Sequence, residues 1–366
     1  MKMKVDEFCT YGAKSGIKAG DATSDGQYMF FTSSEDESKR YTEYQFDGEG
    51  VIMGTGGNAT LHYYNGKYAV STDCIVLIPD DRVRCKYLYY FFLANMPLLE
   101  AGFKGAGLKH TNKKYIGNIE LRNIPALNVQ DGIVEVIDRV VSIIQSRKDE
   151  LCKLDDLIKA RFVEMFGESN PSWPTVTIGD ICMDARTGPF GSALHHDEFV
   201  DKGIFVLGID NAVENRFSYN RMRYITEEKY QQLKRYTVHP GDVIITIMGT
   251  IGRSAVIPED MPLAINTKHL ACLTPDKTKA KSVFLCSAFQ MHPAVQRQLT
   301  GNAKGAIMNG LNLGIIKSLK FQLPPLQMQK SFELFYAQVD KSKVIIQKAL
   351  EEAQLLFDSL MQQYFG

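Results

Sequence analysis

The sequence predicts a mixed α/β (α+β) protein of two related halves, joined by two long antiparallel helices that form a coiled coil. The first observation is a repeat: Ile124-Pro125-Ala126-Leu127-Asn128-Val129-Gln130 returns as Leu323-Pro324-Pro325-Leu326-Gln327-Met328-Gln329. Gln130 and Gln329 stand 199 residues apart, as do the Phe-Gly endings at Gly167 and Gly366. A gapless repeat of this length means two equivalent helices, each closing one half of a pseudo-two-fold object. The second observation is a 4-3 spacing of apolar residues along both copies, and the third is a pair of segments before them rich in short β-branched runs.

The first helical stretch carries Ile133, Ile137, Val140, Ile144, Leu151, Leu154, Ile158 and Met165, a heptad seam interrupted by Arg147 and Arg161. Its copy carries Phe332, Tyr336, Val339, Ile346, Leu350, Phe357, Leu360 and Tyr364, with Ala353 on the seam and Lys343 as its polar exception. Proline before each stretch and Phe-Gly after it mark helix boundaries. About 39 residues at 1.5 Å each give a helix of about 58 Å, which needs a partner along its length. Antiparallel pairing in end-to-end register sets Ile133 against Tyr364, Leu154 against Lys343 and Arg161 against Tyr336, so each charged stem lies over an apolar or aromatic neighbour.

The preceding segments also repeat, more loosely. Glu7-Phe8-Cys9 matches Asp180-Ile181-Cys182, and Gly48 to Gly57 matches Gly241 to Ile245 followed by Met248-Gly249-Thr250-Ile251-Gly252. Cys9 and Cys182 are 173 apart, so the second segment carries about 26 extra residues while the helices keep their length. Strands are expected at Val51–Met53, Ala69–Val70, Cys74–Ile78, Val243–Ile247 and Ser254–Ile257, and helices at Lys86–Asn95 and Lys281–Gln290. The resulting division is 1–124, a first globular domain; 125–167, a central helix; 168–323, a second globular domain; and 324–366, a C-terminal helix.

Composition narrows the function. With 366 residues, 45% hydrophobic and 23% charged, the chain has room for two cores. Seven scattered cysteines, none spaced as CxxC, indicate neither a disulfide framework nor a zinc ribbon and suit a reducing cytoplasm. No apolar run reaches the ~18 residues of a membrane span. Lysine plus arginine balance aspartate plus glutamate at 42 each, so any nucleic-acid surface must concentrate its charge locally or share the phosphate contacts with a partner.

Several motifs invite stronger readings. The turn Val51-Ile52-Met53-Gly54-Thr55-Gly56-Gly57 resembles a cofactor loop of S-adenosylmethionine enzymes, and Asn170-Pro171-Ser172-Trp173 an adenine-methyltransferase signature. The turn recurs in the other half, however, the tetrapeptide lacks its second proline and follows a charged helix, and no GxGxxG opens a βαβ unit. His195-His196-Asp197 has no second ligand pair at metal-site spacing. A P-loop and a GxSxG elbow are both absent.

Glycine turns allow close backbone approach, and Thr55, Asn58, Thr250 and Arg253 on them offer donors to phosphates or base edges. The basic, glycine-rich loop Phe103 to Lys114, with Lys104, Lys109, His110 and Lys113, has its counterpart in Leu299 to Gly310, with Lys304 and Asn309. Both are expected to be flexible loops suited to a nucleic-acid surface. Lys14, Lys18, Arg186 and Lys268 complete the candidate DNA-contacting set.

At this point the residues resemble a known family, the specificity subunits of type I restriction-modification systems. The likeness spans the chain and is most specific at Leu323 to Gln329, at Ser359 to Gly366, at Arg161 to Gly167, and at Trp173 through Ile181. It implies two target recognition domains, each reading one half of a split, asymmetric double-stranded DNA site, with the helices setting the gap. It implies that the helices dock methyltransferase subunits, which bind S-adenosylmethionine, and that a restriction-translocase subunit cuts unmodified DNA. The chain itself is then a non-catalytic, cytoplasmic subunit without a cofactor or metal. Alternatives are the specificity polypeptide of a type II-like system with a fused methyltransferase-nuclease, and a self-contained adenine DNA methyltransferase.

Overall fold

The computed structural model describes residues 2–305 and 311–366, except the side chains of Ser192 and of residues 302–305. The chain divides into two compact units, Met1–Asp149 with Gln347–Gly366, and Glu150–Ile346. Both long helices are continuous over 40 residues, Leu127–Phe166 and Leu326–Phe365, or about 60 Å. Each begins in one unit and ends in the other.

Within both units the start of one helix packs on the end of the other, as the antiparallel register requires. In the first unit Ile133 and Ile137 share a core with Met361 and Phe365, and Val140 and Ile144 share one with Leu350, Ala353, Phe357 and Leu360. In the second, Ile158 shares a core with Phe332 and Val339, and Leu154, Met165 and Tyr336 pack against it. Lys343 pairs with Asp155, beside its expected partner Leu154, and the Arg161 guanidinium lies 5.9 Å from the Phe335 ring centre. Leu151 and Ile346 are half-buried. Phe162 and Phe166 are buried outside the expected seam, with ring centres 5.9 and 5.1 Å from that of Phe284. The apolar stripe is broader there because the helix meets a globular domain as well as its partner helix.

The globular part of the first unit holds a two-stranded pair, β1 (Met3–Lys4) with β8 (Glu120–Leu121), and one six-stranded sheet. That sheet is built from β2 (Cys9–Tyr11), β3 (Tyr28–Phe31), β4 (Arg40–Tyr41), β5 (Phe46–Gly54), β6 (Leu61–Val70) and β7 (Cys74–Pro79). Its order is β2-β7-β5-β6-β3-β4, antiparallel except where β3 runs parallel to the end of β6. Helix Cys85–Ala94 covers one face.

The second unit repeats this plan with one change. β9 (Thr175–Thr177) pairs with β18 (Lys320–Gln322), as β1 does with β8. Strands β10 (Cys182–Thr187), β14 (Val243–Thr246), β15 (Ser254–Val256) and β17 (Leu270–Pro275) form a four-stranded sheet in the order β10-β17-β14-β15. Cys182 faces Pro275 in it as Cys9 faces Pro79 in the first unit, so the Cys9/Cys182 match marks equivalent strands. The parallel pair has moved to a separate sheet, made of β11 (Ile204–Leu207), β12 (Tyr224–Ile225), β13 (Thr237–Val238) and β16 (Ala264–Asn266) in the order β12-β11-β16-β13. Where the first unit runs one ten-residue strand, β6, the second breaks between β15 and β16.

One buried side chain in each unit ties globular part to long helix in the same way. Gln130 and Gln329 are fully buried. The Gln130 amide donates to Arg82 O and Pro125 O and its carbonyl accepts from Arg84 N, the residue capping helix Cys85–Ala94. Gln329 donates to Lys279 O and Pro324 O and accepts from Lys281 N, which caps helix Ser282–Met291. A primary amide with two donors and an acceptor satisfies three backbone groups at once, which explains a glutamine amid the repeated apolar motif. Asn112 and Asn312 likewise repeat as N-caps, accepting from Tyr115 N and Ile315 N.

Candidate nucleic-acid interface

In the first unit three of the expected segments meet at one end of the sheet. Thr55 donates both its backbone N–H and its hydroxyl to Asp73 O. The basic loop folds back over the glycine turn: Gly57 N donates to Lys109 O, Thr111 N to Thr55 O, and Lys104 and His110 exchange backbone hydrogen bonds. Thr72 N donates to Ile17 O, bringing the loop bearing Lys14 and Lys18 to the turn between β6 and β7, whose Asp73 O accepts from Thr55. Lys14, Lys18, Asn58, Lys104, Lys109 and His110 are all exposed there. Thr55 is committed to the fold, and the ammonium of Lys113 lies 4.9 Å from the Tyr11 ring centre, a cation–π contact away from the turn. Gly57, at φ +82°, has a conformation that suits glycine. At Gly54 the close approach is instead to the protein itself, since a Cβ would meet Thr60 and Ser33.

The second unit rebuilds the turn with different chemistry. The buried Thr246 hydroxyl donates to Thr250 O and accepts from Arg253 N, leaving the side chains of Thr250 and Arg253 exposed. Ile247 N donates to His269 O as Thr55 N does to Asp73 O, and Leu311 N donates to Ile247 O as Thr111 N does to Thr55 O. Lys268 is exposed on the adjoining turn. The counterpart of the basic loop departs from expectation, because Leu299–Gly305 continues helix Pro293–Gly305. Proline at the first helical position followed by Ala, Gln, Arg and Leu favours that helix. The Lys304 side chain and Asn309 lie outside the described residues.

Arg186 is turned inward and is removed from the candidate set. Its two terminal nitrogens donate to Asp184, Thr274, Thr237 O and the buried Asp242, with the Asp242 contact at 2.7 Å. Asp242 also accepts from His239 N and the Cys272 thiol, and burial together with that carboxylate pushes the Cys272 thiol well up. This network holds β10, β14 and β17 together. Among the described residues no group of three His, Cys, Asp or Glu is placed to hold a metal ion, and no helix is long and apolar enough to cross a membrane.

The family model described as the type I restriction modification DNA specificity domain matches residues 1–154 and 170–354. The chain belongs to that family. It is 22% identical over 349 residues to the EcoBI specificity subunit of Escherichia coli, covering 87% of this chain and 73% of that one. It is 19% identical over 324 residues to the MjaVIII specificity subunit of Methanocaldococcus jannaschii, covering 83% and 75%. Its fold is similar to that of a type I restriction-modification S subunit from M. genitalium, with a TM-score of 0.68, 15% identity, and coverage of 100% and 96%. A structure from work on complex assembly and conformational transition of the type I R-M system gives a TM-score of 0.54 at 14% identity. Each matched region takes in one globular part, hereafter a head, together with much of the long helix that follows it.

Sequence reasoning reached the turns and loops of these heads but missed other residues near them. Arg223, Thr267 and His269 line a cavity beside Lys268, and no local pattern links them because they come from separate segments. Gln130 and Gln329 carried a usable signal, an identical polar residue at the same offset inside an apolar motif.

Proposed function

We propose that this chain is the DNA-recognition and assembly subunit of a type I restriction-modification complex, reading a split, asymmetric site with one head per half-site. The observation that carries this reading is the pairing of a repeated scaffold with divergent outer sheets. Both units share the inner strand order, the buried glutamine and the asparagine cap, while the strands and loops beyond them differ. Two heads of one plan and different surface chemistry suit a site whose halves differ in sequence.

The helices then set the number of base pairs between the half-sites and dock the methyltransferase subunits. Exposed apolar side chains along them, among them Ile143, Leu157, Ile345 and Leu355, supply surface for such partners. S-adenosylmethionine belongs to the methyltransferase in this reading, DNA cleavage to a translocase-nuclease subunit, and the complex works in the cytoplasm. The balanced net charge suits a subunit that binds DNA tightly only with its partners. Methylome sequencing of a host expressing the chain with its methyltransferase tests the reading, which expects a methylated motif in two parts around a fixed gap. Calorimetry of the isolated chain with S-adenosylmethionine tests the competing enzyme reading, and tight binding there would favour it.

A further inference from the structure

Both heads place the same turn after their parallel strand pair, and only one of them closes it. In the first head Ser71 N donates to Phe31 O and Cys74 N to Ser71 O. In the second, Thr267 N donates to Leu207 O and Leu270 N to Thr267 O, so Thr267 matches Ser71, His269 matches Asp73 and Ile209 matches Ser33. The first head fills this place with its own hydrogen bonds: Ser33 Oγ donates to Asp73 O at 2.7 Å, Thr55 Oγ1 donates to the same oxygen at 2.9 Å, and the Ser71 hydroxyl donates to the Asp73 carboxylate. In the second head the corresponding hydroxyl at Ser33 is replaced by Ile209. A cavity of about 300 Å³ opens there, with Arg223, Thr267, Lys268 and His269 on its lining.

Three residues on that lining each hold one polar atom, Arg223 Nη1, Thr267 Oγ1 and His269 Nδ1, that is closed to solvent and has no hydrogen-bond partner in the fold. Buried polar groups are nearly always paired, so three unpaired ones around a single cavity mark side chains whose partners arrive when a ligand seats there. Arg223 is fixed in position, since its other terminal nitrogen donates to Asp210 and its Nη1 packs so closely on Gly208 that a Cβ there would come within 2.5 Å of it.

We infer that this cavity reads the edge of a DNA base in the half-site of the second head, with Arg223, Thr267 and His269 as its specificity-determining residues. The inference rests on the proposed function and assigns residues to it. A phosphate offers only acceptors and would sit beside the Asp210 carboxylate. The cavity lining instead combines a guanidinium, which can only donate, with a hydroxyl and an imidazole that can donate or accept, which matches the mixed edge of a base pair. Burial, with the charges of Lys268 and Arg223, holds the His269 imidazole below its usual range and therefore neutral near pH 7. Exposed Lys268 stands at the rim, available for the adjacent phosphate. The first head, whose equivalent place is filled, must read its half-site with the exposed side chains around the glycine turn.

The test uses the full chain in complex with its methyltransferase, on duplexes carrying the wild-type methylated motif and each single-base change in the second head's half-site. Thr267→Val and His269→Gln keep side-chain size and leave the Arg223–Asp210 pair intact, and Arg223→Lys is the third variant. Thermal melts matching wild type show that each variant folds. The expected result is that at one base-pair position the preference between bases falls by about ten- to a hundredfold, with the other half-site unchanged. An equal loss for every duplex, with a shallower salt dependence, would mean a phosphate contact and overturn the inference, as would unchanged preference in all three variants. If the wild-type complex itself methylates no split motif, the proposed function has failed; if it does and the variants behave as wild type, only the cavity assignment has.

Discussion

The two heads are one scaffold finished in two ways. Near the long helices they agree in three features: a buried glutamine with the same three bonds to backbone, an asparagine cap and the same inner strand order. Further out, the first head is a single six-stranded sheet with a filled turn, and the second splits its parallel pair into another sheet and leaves a cavity. Phe31 and Leu207 are 176 residues apart and Val70 and Asn266 are 196 apart, so most of the extra length of the second head enters between these strands. The parts next to the long helices are held constant, and the outer parts, to which the proposed function assigns DNA reading, vary.

Exchanging Trp173 to Phe321 for another recognition domain is the largest perturbation. It should replace one half-site of the methylated motif completely and leave the other untouched, as read by methylome sequencing. A change in both halves would mean that the heads do not read independently. Next in size is Asp242→Ala, which leaves the half-buried Arg186 with Asp184 as its remaining carboxylate and removes the acceptor of His239 N and the Cys272 thiol; it should cost the second head roughly 3 kcal/mol in chemical denaturation. The first head, which lacks this network, should keep its own transition.

Gln130→Ala and Gln329→Ala should cost about 2–3 kcal/mol each, since each strands buried backbone groups. Their effects should add in the double variant, because the two side chains share no partner; strong non-additivity would show that the two attachments are coupled. A smaller effect follows from His292, buried against the Phe162 and Phe321 rings and accepting from Ala294 N at 3.2 Å. Burial, and then the Arg297 charge, lowers its pKa from 6.5. The unfolded chain therefore takes up a proton near pH 6.5 that the folded chain still refuses, so stability falls as pH drops below 6.5. The second head should melt a few degrees lower at about pH 5.5 than at about pH 7.5, with the difference reduced in His292→Phe. Least of all should come from Cys152, exposed on the central helix. Burial pushes Cys85 and Cys182 up to about 12 and Cys74 and Cys286 up to about 11, so a thiol reagent near neutral pH should label Cys152 first, and Cys152→Ser should remove that fast phase without altering the melt.

Much of the constant part was legible in the sequence. Period-3.5 seams, proline starts and Phe-Gly ends are local signals, and they placed the helices to within two residues. The Cys9/Cys182 match located equivalent strands, but strand order was not legible, since pairing such as β7 between β2 and β5 depends on contacts far apart in the chain. The heads were read in part. The turns at Gly54 and Gly249 announced themselves through glycine, whereas Arg223 and His269 meet only after folding, and Arg186 was indistinguishable from a surface arginine until Asp242 was seen beneath it. Leu299–Gly305 reads as a loop because its glycines mask the helix-forming run from Pro293.

In the proposed function the helices measure distance while the heads read sequence. Removing one heptad from each long helix shortens it by about 10 Å, close to 3 base pairs of duplex, and methylome sequencing of a host expressing this variant with its methyltransferase compares the motif with that of the wild type. If the helices are the ruler, the variant gives either a motif with both half-sites intact and a gap shorter by about 3 base pairs, or, where the partner no longer docks, no methylation at all. A motif with altered half-sites, an unchanged gap, or no gap even in the wild type would contradict this reading.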